Sequence, residues 1–408
     1  MDILIEEQEG SLWVAALQNG RLEGLEVDPA HEEVRWGSIY WAKVTSINKA
    51  LDAAFLDLDG YNTGILYNRD TRWKKEDGSI EKGGRESIAK HLKAGDMVPV
   101  QAKSAYIMNE DDDFLSAENK TLQMSMDITL PGRHLIFANS LTKNKISQRI
   151  RDKKLRQQLD SMINEIEDIQ SCILRSSAAN TQSDVLIREG KILKTAWEEI
   201  SNYFEGSEPS LIALGPDAMQ RTLSDQADQQ IDRIEVVTMD HFNTVEEWAS
   251  IFAPDLVTKI TPLELDNAEE DLALFHYRDI IGQIEALFQS YVLMPSGGSL
   301  IIQNTSALTA IDINKGSSKS SNLNLNIEAA KEITRQMRLR NSGGIVIADL
   351  LKMPNKKDQN RFLKALEDEV NKDPCTVQIH GISGLGLLEI TRKRRTPPLE
   401  ERFDGILS

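Results

Sequence analysis

Two apolar runs open the chain, Met1-Asp2-Ile3-Leu4-Ile5 and Ser11-Leu12-Trp13-Val14-Ala15-Ala16-Leu17, followed by Gln18-Asn19-Gly20-Arg21. Asn-Gly beside apolar runs is a strong hairpin signal, so residues 1–34 are predicted to form two or three strands. That piece is too short to bury a core alone. From Gly37 to about Met124 the runs Gly37–Val44, Ala53–Leu58, Gly64–Tyr67 and Gly95–Ala102 predict four more strands separated by Gly and Asp/Asn turns. Their length and spacing point to a small barrel of the OB type. The charged stretch Arg69–Arg85 and the acidic run Glu110–Asp113 read as exposed turns.

Residues 125–209 change character. Asn144–Ile169 is helical in composition, Ser171–Arg175 strand-like, and Val185–Phe204 helical again, which reads as a small α/β unit. Residues 210–260 mix short strands such as Ile234–Val237 with short helices, and are expected to complete the core that residues 1–34 cannot build. From Leu274 the pattern sharpens. A helix over Arg278–Ser290 leads through Met294-Pro295-Ser296-Gly297-Gly298 to the strands Ser299–Gln303 and Ala307–Asn314. A long helix over Leu325–Arg340 is predicted to end at Gly343-Gly344. The apolar strand Ile345–Ala348 ends on Asp349, a helix covers Asn355–Lys372, and a strand pair surrounds Val377–Ile379 and Leu387–Ile390. Apolar strands alternating with helices imply a sheet covered by helices, and the whole an α/β multidomain chain.

Composition adds bounds. Of 408 residues 40% are hydrophobic and 27% charged, as in ordinary globular proteins, which excludes a fibrous or largely disordered chain. The formal charge of −17 argues against nucleic acid only as a whole-chain sum and leaves room for a local basic surface. Cys172 and Cys375 stand far apart, so neither a disulfide scaffold nor a self-contained zinc site is expected. The N-terminus lacks the basic-then-apolar form of a signal peptide, and no apolar stretch approaches the roughly 18 residues of a membrane span. The expected compartment is the cytoplasm.

Asp312 and Asp349 are the foremost candidates for chemistry. Each ends an apolar strand, where open α/β sheets put their ligands, and Asn314 lies two residues from Asp312, hence on the same face. Two such carboxylates could hold one Mg2+ and leave positions for water and phosphate. Spacing alone leaves equally open that both cap turns. Between Lys331 and Lys364 nine bases face three acids, and Arg392-Lys393-Arg394-Arg395 with Arg402 add five more; a second basic stretch runs from Arg133 to Asp160, its bases set against Asp152 and Asp160. Bases beside a metal site fit a polyanionic phosphodiester. Arg175-Ser176-Ser177 after a strand could present a guanidinium and hydroxyls to a terminal phosphate, although a plain loop is the commoner meaning of such a tripeptide. The glycines of Gly381–Gly386 read as a strand connection, and the six histidines show no ligand spacing.

Residues 293–298 (LMPSGG), 305–314 (TSALTAIDIN), 326–344 (NIEAAKEITRQMRLRNSGG), 345–353 (IVIADLLKM) and 381–394 (GISGLGLLEITRKR) together resemble the catalytic region of the ribonuclease E/G family. Weaker likeness covers nearly the whole chain. The resemblance implies a DNase I-like catalytic domain over 273–396 with a tail over 397–408. It also implies an RNase H-like subdomain split between 1–35 and 210–272, an inserted OB-fold RNA-binding domain over 36–124, and a 5′-phosphate sensor region over 125–209.

By that resemblance Asp312 and Asp349 would bind Mg2+, with Mn2+ as a substitute, and Asn314 would orient the first aspartate or the scissile phosphate. The activity implied is endonucleolytic cleavage of single-stranded RNA, in RNA processing or decay, rRNA included, leaving a 5′-phosphate and a 3′-hydroxyl. Arg175 and Ser176 would bind a 5′-monophosphate, Phe55 would stack a base and Lys120 would contact the RNA backbone. Three departures stand out. Residues 391–408 hold no cysteine where the family carries Cys-Pro-x-Cys, so zinc is not expected and any homo-oligomer would not be zinc-linked. Ile65 stands where a second aromatic is usual, and Lys352 where an acid is usual. The alternative reading is a catalytically weak RNA-binding or assembly factor of the same fold.

Overall fold

The computed structural model describes the chain except residues 32–33, 76–78, 106–121, 149, 151, 167–168, 267–269, 306, 404 and 407–408. It divides into two compact units: residues 1–29, 231–242 and 260–408 form one, and residues 30–230 with 243–259 the other.

The first unit is built on two sheets. The opening segment makes the strands Asp2–Gln8, Ser11–Gln18 and Arg21–Asp28, joined by two-residue turns. At both turns the central residues have positive φ: Glu9 and Gly10, then Asn19 and Gly20. This twist matches paired antiparallel strands, and the Asn-Gly signal was readable where Glu-Gly was not. Strands Arg233–Val236 and Ile260–Pro262 extend this sheet in parallel, Ile3 lying opposite Ile234 and Ile234 opposite Ile260. Asp2 and Glu235 on these strands share Arg278, which ties the two distant stretches of sequence together.

The helix expected over Arg278–Ser290 is instead two short pieces, Ala273–Tyr277 and Ile281–Glu285, with a 3-10 turn at Ala286–Phe288. Asp279 takes a left-handed φ of 52° and breaks the run, which lets Phe275, Ile280, Ile284 and Leu287 all reach one core. Leu399 and Ile406 enter that same core, so these two residues of the stretch expected as a tail are packed.

The second sheet of this unit has the strand order Tyr291–Leu293, Ser299–Asn304, Leu308–Asn314, Gly344–Asp349, Leu387–Arg392, Val377–Ile382. The helices Asn322–Leu339 and Lys356–Val370 cover one face, burying Leu325, Ile333, Met337, Phe362 and Leu366 against Ile311, Ile313, Val346 and Ala348. The long helix ends otherwise than expected. Asn341, not a glycine, takes the left-handed φ of 50°, and Ser342 N donates to Met337 O and Asn341 N to Arg338 O, a Schellman closure.

The second unit holds a closed barrel and a smaller α/β layer. Among its described strands, Ile39–Asn48, Ala53–Asp57, Thr63–Tyr67, Leu122–Ser125 and Met97–Ala102 pair in that order, and the last closes on the first. Leu122–Ser125 runs parallel to Thr63–Tyr67. This is the OB-like barrel expected from the sequence, with Leu122–Ser125 as a fifth strand that the four apolar runs did not include. In the α/β layer the strands Thr129–Pro131, Leu135–Ala138, Cys172–Leu174 and Lys145–Ile146 form one sheet under the helices Lys153–Glu165 and Ser183–Ser201. The first helix is shorter than its composition promised. Asn144 hydrogen-bonds Ile169 O and Cys172 N, which holds the chain in the sheet, and Asp152 caps the helix by accepting from Leu155 N at 2.7 Å.

Candidate active site

Along Leu308–Asn314 the buried residues are Thr309, Ile311 and Ile313, and along Gly344–Asp349 they are Val346 and Ala348. Strand alternation therefore turns Asp312, Asn314 and Asp349 onto the face away from the helices, where both aspartates are exposed. The two strands run parallel with Asp312 directly opposite Asp349, so their Cα atoms stand about 5 Å apart. The sequence placed both at strand ends; the register makes them neighbours on one face. Asn314 Nδ2 donates to Asp312 Oδ2 at 2.9 Å, fixing one carboxylate with a neutral amide.

Backbone packing holds the strand ends. Met294 N donates to Gly298 O at 2.8 Å and Ser317 N to Gly297 O at 3.2 Å, seating the Met294–Gly298 turn against the loop after Asn314. A Cβ on Gly316 would lie 2.5 Å from Gly297 O, so no side chain fits between the two loops. On the Asp349 side, Asn326 is fully buried in the long helix. Its amide donates to Leu351 O at 2.8 Å and accepts from Leu351 N at 3.0 Å. Asn322 Nδ2 adds a bond to Lys352 O at 3.1 Å. Neither asparagine was singled out from the sequence, because an amide within a helical run carries no mark of a distant backbone partner. Lys352 itself is exposed.

The row through the carboxylates reads Tyr291, Ile301, Asp312, Asp349, Leu387 in register. Tyr291 and Leu293 are 57% and 67% exposed, an apolar surface on the carboxylate face rather than in the core. Among the described residues no group of three or more His, Cys, Asp or Glu gathers as a metal cluster. The donor set available to a cation is two carboxylates and an amide oxygen, the hard oxygen ligands Mg2+ takes while keeping several waters.

The basic stretches are only partly a surface. Arg335 is bound to Glu332 and Leu22 O, and Arg340 to Gln336 and Gln289 O. Arg392 and Asp373 form a pair 2% and 1% exposed. Burial lowers the Arg338 guanidinium and takes Arg340 down to about 10. Arg335, Arg340 and Arg392 hold the fold together. Of the bases in Lys331–Lys364, Arg392–Arg395 and Arg402, those left on the exterior are Lys331, Lys352, Lys356, Lys357, Arg361, Lys364, Lys393 and Arg394.

In the other unit Phe55 is half-buried, on the barrel face opposite the core residues Ala54 and Leu56, with buried Ile65 directly across from it. Lys120 lies outside the described residues. Arg175 follows the strand Cys172–Leu174, and its Nη1 donates to Gly132 O at 3.2 Å while Nη2 pairs with Asp225 at 2.8 Å. Ser176 donates its hydroxyl to Asp228. Beside them His134 is buried, Nδ1 3.0 Å from Ser177 Oγ, and burial with the nearby Arg133 charge lowers its imidazole to about 4.

Residues 129–395 match the model of the ribonuclease E/G family. Ribonuclease G of Salmonella typhimurium (strain SL1344) and of Escherichia coli (strain K12) are each 29% identical over 410 residues, covering 98% of this chain and 81% of the relative. Ribonuclease E of Haemophilus influenzae is 30% identical over 406 residues, 97% of this chain and 42% of the relative. Together with the carboxylate-bearing sheet, these matches define an enzyme of the phosphodiester-hydrolase class, an endoribonuclease. The chain belongs to the ribonuclease E/G family.

Proposed function

We propose that the chain is a Mg2+-dependent endoribonuclease that cuts single-stranded RNA to leave a 5′-phosphate and a 3′-hydroxyl. The observation that carries this is the register pair Asp312 and Asp349 on the open sheet face, with Asn314 bonded to the first. Asp312 and Asp349 would hold the cation, and Asn314 keeps the Asp312 carboxylate from turning away. Bound there, Mg2+ supplies positive charge to the phosphodiester oxygens and acidifies a water. Water oxygen bonds to phosphorus in line with the leaving group as the P–O3′ bond breaks, and the proton that water gives up ends on the 3′ oxygen.

Exposed Tyr291 on the same face supports a single-stranded substrate, whose free bases can stack on an aromatic ring. Phe55 offers a second ring on the barrel, Lys120 a phosphate contact, and Arg175 with Ser176 a site for the 5′-terminal phosphate. The mixed sheet of strands 2–28, 233–236 and 260–262 supports a split RNase H-like subdomain, and the helix-covered six-stranded sheet a DNase I-like catalytic domain. A cytoplasmic role in RNA processing or decay, rRNA included, accords with this reading. No helix among the described residues is long and apolar enough to cross a membrane.

The test is cleavage of end-labelled single-stranded RNA with and without Mg2+, by the wild type and by Asp312→Asn. Cutting that requires both the cation and Asp312 is expected. RNA retention without turnover in the wild type would leave a binding factor, and undiminished cutting by the variant would remove Asp312 from the chemistry.

A further inference from the structure

The two donors assigned to the RNA 5′ end are already engaged by carboxylates of the same unit. Arg175 Nη2 lies 2.8 Å from Asp225 Oδ1, in a pair with 17% and 7% of its side chains exposed, and the Ser176 hydroxyl donates to Asp228. The acids come from the end of the helix Ala218–Asp225 and the turn after it. Asp225 is the last helical residue, where the helix dipole disfavours a negative charge, so Arg175 offsets a charge placed at the wrong end. Arg133, whose charge acts on His134 alongside that of Arg175, is also committed, since it holds Asp255 through both terminal nitrogens.

Charge then decides what the pocket accepts. Arg175 with Asp225 and Asp228 sums to about −1, and a phosphate monoester brings about −1.5 to −2 more. It would have to displace two carboxylates that already satisfy the donors it needs, and face them once displaced. We propose that Asp225 and Asp228 form an acidic latch over the 5′-end site, so that the resting protein does not favour a 5′-monophosphate over a 5′-hydroxyl. Neutralising the latch exposes that preference. This rests on the reading of Arg175 and Ser176 as the 5′-end site and names what regulates it.

The test is fluorescence anisotropy of the full chain in EDTA, which prevents Mg2+-dependent turnover, with one short single-stranded oligonucleotide carrying either a 5′-monophosphate or a 5′-hydroxyl. The wild type should bind the two within about twofold of each other. Asp225→Asn/Asp228→Asn should favour the monophosphate by about tenfold, the worth of one charge-assisted hydrogen bond, and adding Arg175→Ala should remove the preference. Asp228→Asn alone, at an exposed position that cannot threaten folding, should give an intermediate preference of about threefold. A wild type that already prefers the monophosphate by tenfold, unchanged in Asp228→Asn, would overturn the latch, and so would continued indifference in the double variant. Binding of neither oligonucleotide by any form would overturn the RNA-enzyme reading itself, an outcome distinct from indifferent binding.

Discussion

The carboxylate pair and the Arg175 site are built in opposite ways. Asp312 and Asp349 are exposed, and the group bonded to the Asp312 carboxylate is the neutral amide of Asn314, which cancels none of its charge. Arg175 and Ser176 sit on a turn against a buried sheet with their donors taken up by Asp225 and Asp228. One site advertises its charge and the other cancels it. Residue types alone do not separate these cases: the decisive difference lies in which partners the fold supplies.

The largest expected effect falls on the open site. Asp349→Asn should lower kcat/KM for single-stranded RNA by at least about 100- to 1,000-fold, the loss typical when one charge-stabilising group is removed, with circular dichroism unchanged. Retained activity would make the Arg175 region, rather than the carboxylates, the place to look for function.

Next comes the closed site, through its buried histidine. His134 is neutral in the folded chain with its imidazole at about 4, whereas unfolded it titrates near 6.5, so the unfolded chain takes up the proton first. Stability is therefore complete above about pH 6.5 and falls as the pH drops toward 4, by up to about 3 kcal/mol. Urea unfolding across that range checks it. His134→Gln should flatten the slope, and an unchanged slope would assign the acid sensitivity elsewhere.

Asn326→Ala sharpens the comparison at the open site without touching its charge. It strips the partners from the buried N–H and C=O of Leu351, at a cost of about 1–3 kcal/mol in stability, and should lower kcat more than it raises KM because the segment after Asp349 loosens. A stability loss with unchanged kcat would make Asn326 purely structural. The smallest effect is expected from Tyr291→Ala, which should raise KM for single-stranded RNA several-fold while leaving kcat nearly unchanged, with Tyr291→Phe restoring it; one stacked base is worth about 1–3 kcal/mol at most. Equal KM values in all three proteins would remove the ring from substrate binding.

Much of the open site was legible in advance because apolar strands that stop on a carboxylate declare both the strand and its end. Asp312, Asn314 and Asp349 follow from period-two alternation, and so does the barrel from its short strands and turns. What stayed hidden depends on distant partners. The count of bases around Lys331–Lys364 could not tell Arg335 and Arg340, which hold the fold, from Lys356, Lys357 and Arg361, which face water. Asn341 closes a helix where two glycines nearby looked better suited, since tertiary bonds from its side chain to Thr396 and Pro397 O support the left-handed turn. Asp225 and Asp228 lie some 50 residues from Arg175 and Ser176, and nothing local links them.

Asp312 and Asp349 are expected to act as one cation-holding unit, which a double-mutant cycle can show. kcat/KM for single-stranded RNA in Mg2+ would be compared for the wild type, Asp312→Asn, Asp349→Asn and the double variant. Residues that act as a unit are grossly non-additive, so the double variant should be no worse than either single one within about threefold. Losses that multiply, or a single variant with wild-type activity, would contradict the account.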